Sequence, residues 1–287
     1  MAGKQRGVLF AVSASLMFGL SPVFVRLTLD FVNVETMNVL FTAVASLCFV
    51  VLFAVFKGVH FNSILGNWRK VSLISLLSAV GSMLFTYGIS LYGPVNAAFL
   101  VQFTAVFTIL FGVAFFKERF TPLEAAGILL AVVGVFVLAY GDLSLEIIGA
   151  AVLLSAALLF ASANSLSKAY VKKVNPVALA GGNSMFMFLF IFAYTVLAGK
   201  LETAFPSETL VYAFLGSITG VFLSFILFFK ALQVFEVSKA ATIRTMEPFL
   251  TAIFSFAILA LTPTANQLLG GALIVIGVVV LSLTKGK

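Results

Sequence analysis

The chain has 287 residues, of which 62% are hydrophobic and only 9% are charged, and its mean hydropathy is +1.20. A soluble domain usually carries about 25% charged residues, so this composition excludes a protein folded in water and predicts a membrane protein. Ten spanning helices of about 20 residues would leave fewer than about 90 residues for loops and ends, which is too few for a soluble catalytic domain.

Apolar runs separated by charges and turn residues predict an all-α integral membrane protein with ten transmembrane helices and short loops. The first run follows Lys4 and Arg6 and continues to Leu29. It is too long for the core of a signal peptide, so we expect it to be retained as a helix. The predicted spans are 7–29, 34–56, 69–91, 94–116, 122–140, 147–167, 176–198, 208–232, 237–261 and 265–284.

The positive charges predict the orientation of these spans. Fourteen of the 17 Lys and Arg residues fall on the side of both termini, two (Arg26 and Lys200) fall on the other side, and Arg244 lies inside the ninth span. Because loops rich in Lys and Arg stay in the cytoplasm, both termini are expected to be cytoplasmic, with the plasma (inner) membrane as the location. The net charge of +7 is then explained by topology, and no nucleic-acid partner is predicted.

An internal repeat divides the chain into residues 1–142 and 143–287. A shift of 142 to 143 residues aligns polar, glycine and aromatic positions: Asn33 with Asn175, Thr108 with Thr251, Gly127 with Gly270, Phe18 with Phe160, and Phe85 with Phe228. Each half contains five predicted spans, so the second half enters the membrane from the opposite side. Two inverted five-helix repeats around a central cavity are typical of carriers that work by alternating access.

Three short motifs resemble a known family. Residues 117–122 followed by Gly127 resemble the signature at the junction of helices four and five in EamA-type members of the drug/metabolite transporter superfamily. Glu247-Pro248-Phe249 resembles a segment of helix nine in that family, and Phe18-Gly19 resembles its Trp-Gly pair in helix one. The resemblance implies a basket of helices around a central cavity and the export or exchange of amino acids or related small metabolites.

The predicted substrate site is centred on an ionisable pair at membrane depth. Arg244 and Glu247 lie three residues apart on one helical face, so they can form an ion pair. Glu247 lies roughly 15 Å from the cytoplasmic end of its span, near the bilayer midplane. We expect Arg244 to bind a substrate carboxylate while Glu247 orients Arg244, binds an amine or takes up a proton. The alternative is an ion pair that only fixes helix packing.

The repeat images of Arg244 and Glu247 are Val101 and Thr104, so the charge is confined to the second half, and a substrate with two distinct ends is predicted. Further polar side chains in apolar spans are expected either to line the cavity or to hydrogen-bond between helices. They are Thr251, Gln102, Thr104, Asn38, Asn164 and Tyr87.

Two prolines are candidate gating residues. Pro22 interrupts the hydrogen bonding of helix one. Pro248 removes a backbone donor from helix nine, so the carbonyl group of Arg244 is expected to be free to face the cavity.

Small residues on helices five and ten, among them Gly127 and Gly277, predict close helix packing, either of a peripheral helix pair or of a homodimer. Both aspartates lie at helix ends and His60 is the single histidine, so neither catalysis nor a metal or other cofactor is predicted. The remaining alternatives are a proton-coupled exporter of lipophilic cationic drugs and a channel-like pore.

Overall fold

The computed structural model describes residues 2–55, 64, 66–116, 122–138, 143–170, 175–234, 244 and 246–284. Within those ranges the protein is all-helical. The helices are α1 (Ala2–Leu29), α2 (Val34–Val55), α3 (Trp68–Leu100), α4 (Phe103–Phe116), α5 (Pro122–Leu138), α6 (Leu143–Tyr170), α7 (Pro176–Leu197), α8 (Ser207–Val234), α9 (Glu247–Leu259) and α10 (Ala265–Thr284).

Six of these helices are long and apolar enough to cross a membrane, namely α1, α2, α3, α6, α7 and α8. Shorter apolar helices are found within α5, α9 and α10. The all-α, multi-pass class is therefore confirmed, whereas the count of ten spans stays a prediction. The motif at residues 117–121 lies outside the described residues.

Local sequence signals account for individual helix ends. The side chain of Asn175 accepts a hydrogen bond from the backbone N–H of Val177 at 2.9 Å, and Pro176 occupies the first turn of α7, where no helical donor is needed. The C-terminus of α9 is capped by Ala260, which adopts the left-handed conformation with φ of 54°.

The predicted helix 94–116 is not continuous. Gly93, with φ of 78°, separates it from the preceding arm of α3, as the sequence predicts. A second interruption at Val101 and Gln102 was not predicted, and it divides the span between α3 and α4. There the backbone N–H groups of Gln102 and Thr104 bond to carbonyl groups three residues back, at 3.2 and 2.9 Å, which tightens the helix locally.

Helix packing follows the repeat. Helix α1 packs along α8 and α9, and its image α6 packs along α3 and α4, the images of α8 and α9. Helices α5 and α10 pack on each other through glycine. A Cβ on Gly134 would lie 2.6 Å from the carbonyl oxygen of Gly270, and one on Gly277 would lie 2.5 Å from that of Gly127. These two contacts exchange under the shift of 143 residues, so the small faces predicted from sequence meet within one chain.

The ends of α2 and α7 are joined at the side that the charge distribution predicts to be extracytoplasmic. Asn33 donates to the carbonyl oxygen of Lys200 at 2.8 Å, and the backbone N–H of Glu202 donates to Thr36 at 2.9 Å. Lys200 also forms an ion pair with Glu35, and this contact raises the pKa of the Lys200 ammonium group. This end of the helix bundle is therefore held by contacts between the start of α2 and the segment after α7.

Candidate substrate site

A cavity of about 150 Å³ lies among α1, α2, α3, α4, α6, α7, α8 and α9. Its wall combines phenylalanine rings with polar side chains. The sequence-predicted residues that line it are Pro22, Asn38, Thr104, Asn164, Arg244, Glu247 and Thr251. The structure thus brings most of the predicted site residues from both halves of the chain to one place.

Arg244 and Glu247 form the predicted ion pair in the wall of this cavity. Nε of Arg244 donates to Oε1 of Glu247 at 2.6 Å, and an Nη group donates to Oε2 at 3.1 Å. The Glu247 side chain is only 7% exposed and that of Arg244 is 21% exposed. The carboxylate is therefore enclosed, and the guanidinium group is the more accessible partner.

Two phenylalanine rings also lie close to the guanidinium group. Cζ of Arg244 lies 4.8 Å from the ring centroid of Phe18 and 4.9 Å from that of Phe228. At these distances the ring faces attract a cation. Sequence reasoning did not assign Phe228 to the site, and the signal that could have found it is its alignment with Phe85 in the repeat.

The start of α9 differs from the predicted geometry. The helix begins at Glu247 with Pro248 in its first turn, so Pro248 breaks no helical hydrogen bond there. The carbonyl group of Arg244, expected to be free, accepts a hydrogen bond from Nε2 of Gln102 at 3.4 Å. Pro248 is buried and does not line the cavity. Gln102 lines a smaller pocket of about 20 Å³, which shares wall residues with the cavity.

Thr251 joins α9 to α1. Its hydroxyl group donates to the carbonyl oxygen of Gly19 at 2.9 Å and lies 3.1 Å from that of Glu247. A Cβ on Gly19 would lie 2.8 Å from that of Leu250, so glycine is needed for the two helices to come this close.

The polar candidates on α2 and α3 differ in what they do. Asn38 lines the cavity, but its Nδ2 group donates to the Val34 carbonyl oxygen at 2.8 Å and its Oδ1 atom accepts from Ser82 at 2.9 Å and from Thr86 at 3.4 Å. This network joins α2 to α3, which corresponds to the packing alternative. Tyr87 is 47% exposed on the outer surface and does not line the cavity.

Helix α8 departs from regular geometry beside Pro22. Residues Ile218–Leu223 form a π-helical segment, a feature that is common near functional sites. Within it, a Cβ on Gly220 would lie 2.0 Å from the hydroxyl oxygen of Ser21, so α1 and α8 are in close contact at the cavity wall. The gating roles of Pro22 and Pro248 stay predictions.

Comparison with known proteins identifies the family of this chain. The model of the EamA-like transporter family matches residues 5–140 and 147–283. Two archaeal relatives are named only as uncharacterized transporters. The one from Methanothermobacter thermautotrophicus is 28% identical over 215 residues, 73% of this chain and 63% of the relative. The one from Archaeoglobus fulgidus is 29% identical over 216 residues, 73% of this chain and 67% of the relative.

One solved crystal structure of a protein superimposes with a TM-score of 0.73 and covers 98% of this chain and 99% of its own, at 16% sequence identity. That likeness shows the fold alone. The match spans less than two thirds of the Methanothermobacter relative's length.

Proposed function

Because the chain belongs to the EamA-like transporter family, within the drug/metabolite transporter superfamily, we propose that it is a secondary carrier for small metabolites that bear a carboxylate group, amino acids above all. The substrate crosses through the central cavity by alternating access between two inverted repeats. The observation that carries this proposal is the position of Arg244 in the cavity wall, paired with Glu247 and with 21% of its side chain exposed.

The donor geometry of Arg244 supports a carboxylate ligand. A guanidinium group has five N–H donors, and Glu247 accepts from two of its nitrogen atoms. The remaining donors suit a second planar anion, and Arg binds carboxylates in this forked manner. Glu247 holds the guanidinium group in place and reduces the cost of a charge at membrane depth.

The size of the cavity supports a small solute. A protein cavity of about 150 Å³ holds a molecule of the size of benzene, which is smaller than a typical lipophilic drug. The neutralisation of Glu247 by Arg244 also disfavours the alternative of an exporter of cationic drugs. Asn33 and Thr36 bond to the segment after α7 and so close one end of the helix bundle. This closure favours a carrier rather than an open pore.

Two further features of the proposal are the orientation and the location. The 14 positive residues on one side against two on the other support cytoplasmic termini, and the plasma (inner) membrane is the proposed location. The exchange of the Gly134–Gly270 and Gly277–Gly127 contacts under the shift supports halves related by a two-fold axis. A homodimer through peripheral helices belongs to the same proposal.

Removing the charges singly and together tests the role of Arg244. Arg244→Gln and Glu247→Gln each leave one buried charge without its partner, so each should lower stability by about 3 to 5 kcal/mol. The double variant removes both charges and should regain most of the stability, yet its transport should stay at least about 100-fold below that of the unaltered protein. Melting temperature and uptake of a radiolabelled mixture of the twenty standard amino acids into reconstituted vesicles measure the two effects.

The double variant separates substrate binding from folding. Restored stability without transport supports a substrate-binding role for Arg244. Transport by the double variant at the unaltered rate contradicts that role and leaves the pair as a packing element.

A further inference from the structure

We propose that Phe85 and Phe160 form the binding site for a cationic group at the far end of the substrate. This inference rests on the proposed function and extends it, because it assigns the second end of a molecule whose carboxylate group is bound by Arg244. The substrate class is then a small carboxylate that carries an ammonium or guanidinium group, as in an ω-amino acid or a diamino acid.

The argument starts from a duplicated pair of rings. Phe18 and Phe228 lie with ring centroids 6.2 Å apart and an interplanar angle of 79°. Their images in the repeat are Phe160 and Phe85, whose centroids also lie 6.2 Å apart, at 69°. The two aromatic pairs therefore have nearly the same geometry, and all four rings line the central cavity.

The first of these pairs already holds a cation. The guanidinium carbon of Arg244 lies within 5 Å of both ring centroids, at 4.8 and 4.9 Å. A cation within about 6 Å of a ring face is attracted to it, and the attraction grows when water is excluded. The ring geometry of the pair is thus compatible with a bound cation.

The second pair lacks a cation at the position that corresponds to Arg244 in the repeat. The image of Arg244 is Val101, and the image of Glu247 is Thr104, so neither charge of the first site is repeated. Val101 and Thr104 line the cavity together with Phe85 and Phe160. A cation brought by the substrate can therefore approach a pair of rings with nearly the same geometry as the pair that contacts Arg244.

The surroundings of this second pair are polar but uncharged. Asn164, on α6 one helical turn after Phe160, lines the cavity beside Thr104 and offers an amide oxygen to an N–H donor. Gly81 leaves room for the ring, because a Cβ there would lie 2.9 Å from Phe160. Among the described residues of the wall, Glu247 supplies the only carboxylate, so a cation near Phe85 and Phe160 would meet the rings and uncharged amide and hydroxyl oxygen atoms such as that of Asn164.

Matched ligands separate the two ends of the substrate. The probes are 3-aminopropanoate, 4-aminobutanoate and 5-aminopentanoate, each beside the carboxylate that lacks the amine and beside its ω-hydroxy analogue. Binding to the purified full-length protein is measured by isothermal titration calorimetry. We expect at least one ω-amino acid to bind about tenfold more tightly than both of its uncharged partners, which corresponds to a cation–ring attraction of about 1.4 kcal/mol.

Variants of the rings then assign the effect. Phe160→Leu and Phe85→Leu should each remove the tenfold preference for the amine and leave the binding of the simple carboxylate unchanged within about twofold. Phe160→Tyr keeps an aromatic ring and should retain the preference for the amine. A difference between the tyrosine and leucine variants would assign the preference to the ring face. Phe41→Leu is the matched control, because Phe41 also lines the cavity but belongs to neither ring pair.

The outcomes distinguish this inference from the proposed function. If no ω-amino acid binds better than its partners, or if the preference survives in both leucine variants, the second site is wrong while carboxylate binding at Arg244 stands. If none of the probes binds, simple carboxylates included, the assignment of Arg244 fails and the second site fails with it.

Discussion

The starts of α4 and α9, one in each half of the chain, are alike in position and different in charge. In the first half, Val101 and Thr104 lie at the start of α4, and the Thr104 hydroxyl group donates to the Val101 carbonyl oxygen at 2.7 Å. At the same positions in the second half, Arg244 and Glu247 form a charged pair at 2.6 Å. Each half also contributes to the cavity wall a residue of each pair of phenylalanine rings, Phe18–Phe228 and Phe85–Phe160, and the two pairs have nearly the same geometry.

This comparison separates what the duplicated fold provides from what one half has added. The repeat places the start of a helix at the cavity twice, once at Thr104 and once at Glu247. The two places are also connected, because Gln102 at the first donates to the backbone of Arg244 at the second. The ring geometry is therefore common to both repeats, whereas the Arg244–Glu247 charges are found in the second repeat.

The largest expected effect comes from moving the charged pair to the other copy. Arg244→Val with Glu247→Thr should weaken carboxylate binding by more than about 100-fold, because the charge-assisted hydrogen bonds are lost. Adding Val101→Arg with Thr104→Glu should restore binding to within about tenfold, since these positions line the same cavity as Phe85 and Phe160. Calorimetry with butanoate measures both steps. No recovery in the fourfold variant would show that the two copies are not interchangeable.

A smaller effect is expected where the two halves touch through glycine. Gly277→Ala and Gly134→Ala each place a Cβ within 2.8 Å of backbone atoms on the opposite helix, so each should lower stability by about 1 to 3 kcal/mol. Because the two contacts exchange under the repeat, the two losses should be equal within about 1 kcal/mol. Thermal unfolding in detergent is the measurement, and Gly66→Ala, which meets nothing within 4 Å, is the control. Unequal losses argue against the two-fold relation.

The smallest effect distinguishes two threonines related by the repeat. Thr251→Val removes an interhelical hydrogen bond to Gly19 and should lower stability by about 0.6 to 2 kcal/mol. Its image Thr108 donates to Thr104 within its own helix, at 2.7 Å, so Thr108→Val should have little effect. Melting temperatures of the two variants, compared directly, test the difference. Equal losses would contradict a special role for the α1–α9 contact.

The comparison also shows why part of the site was predictable. The Arg244–Glu247 pair depends on a spacing of three residues within one short segment, so local geometry sufficed to predict it. The phenylalanine pair around Arg244 joins α1 to α8 and is more than 200 residues apart in the chain. No local pattern indicates such a contact, and the repeat is the single sequence signal that points to it.

Hydrogen-bond partners explain the remaining differences. Asn38 and Tyr87 are both polar residues in apolar spans, but Asn38 is held by Ser82 and Thr86 and Tyr87 lies on the outer surface. The Arg244 carbonyl group, expected to be free because of Pro248, is bonded to a side chain from the other half. For Asn38 and for the Arg244 carbonyl group, the deciding partner comes from another part of the chain.

The amino-acid sequence by itself determined the membrane class, the repeat and the ion pair, because composition, a constant offset between matching residues and a short spacing can each be seen without knowing which helices pack together. The tertiary structure decided which face of each helix meets the cavity. In a water-soluble helix the polar face identifies the outside, but lipid and protein interior are both apolar, so hydropathy does not distinguish the two faces of a membrane helix. Only the packing of α1, α8 and α9 brought Phe18 and Phe228 to Arg244.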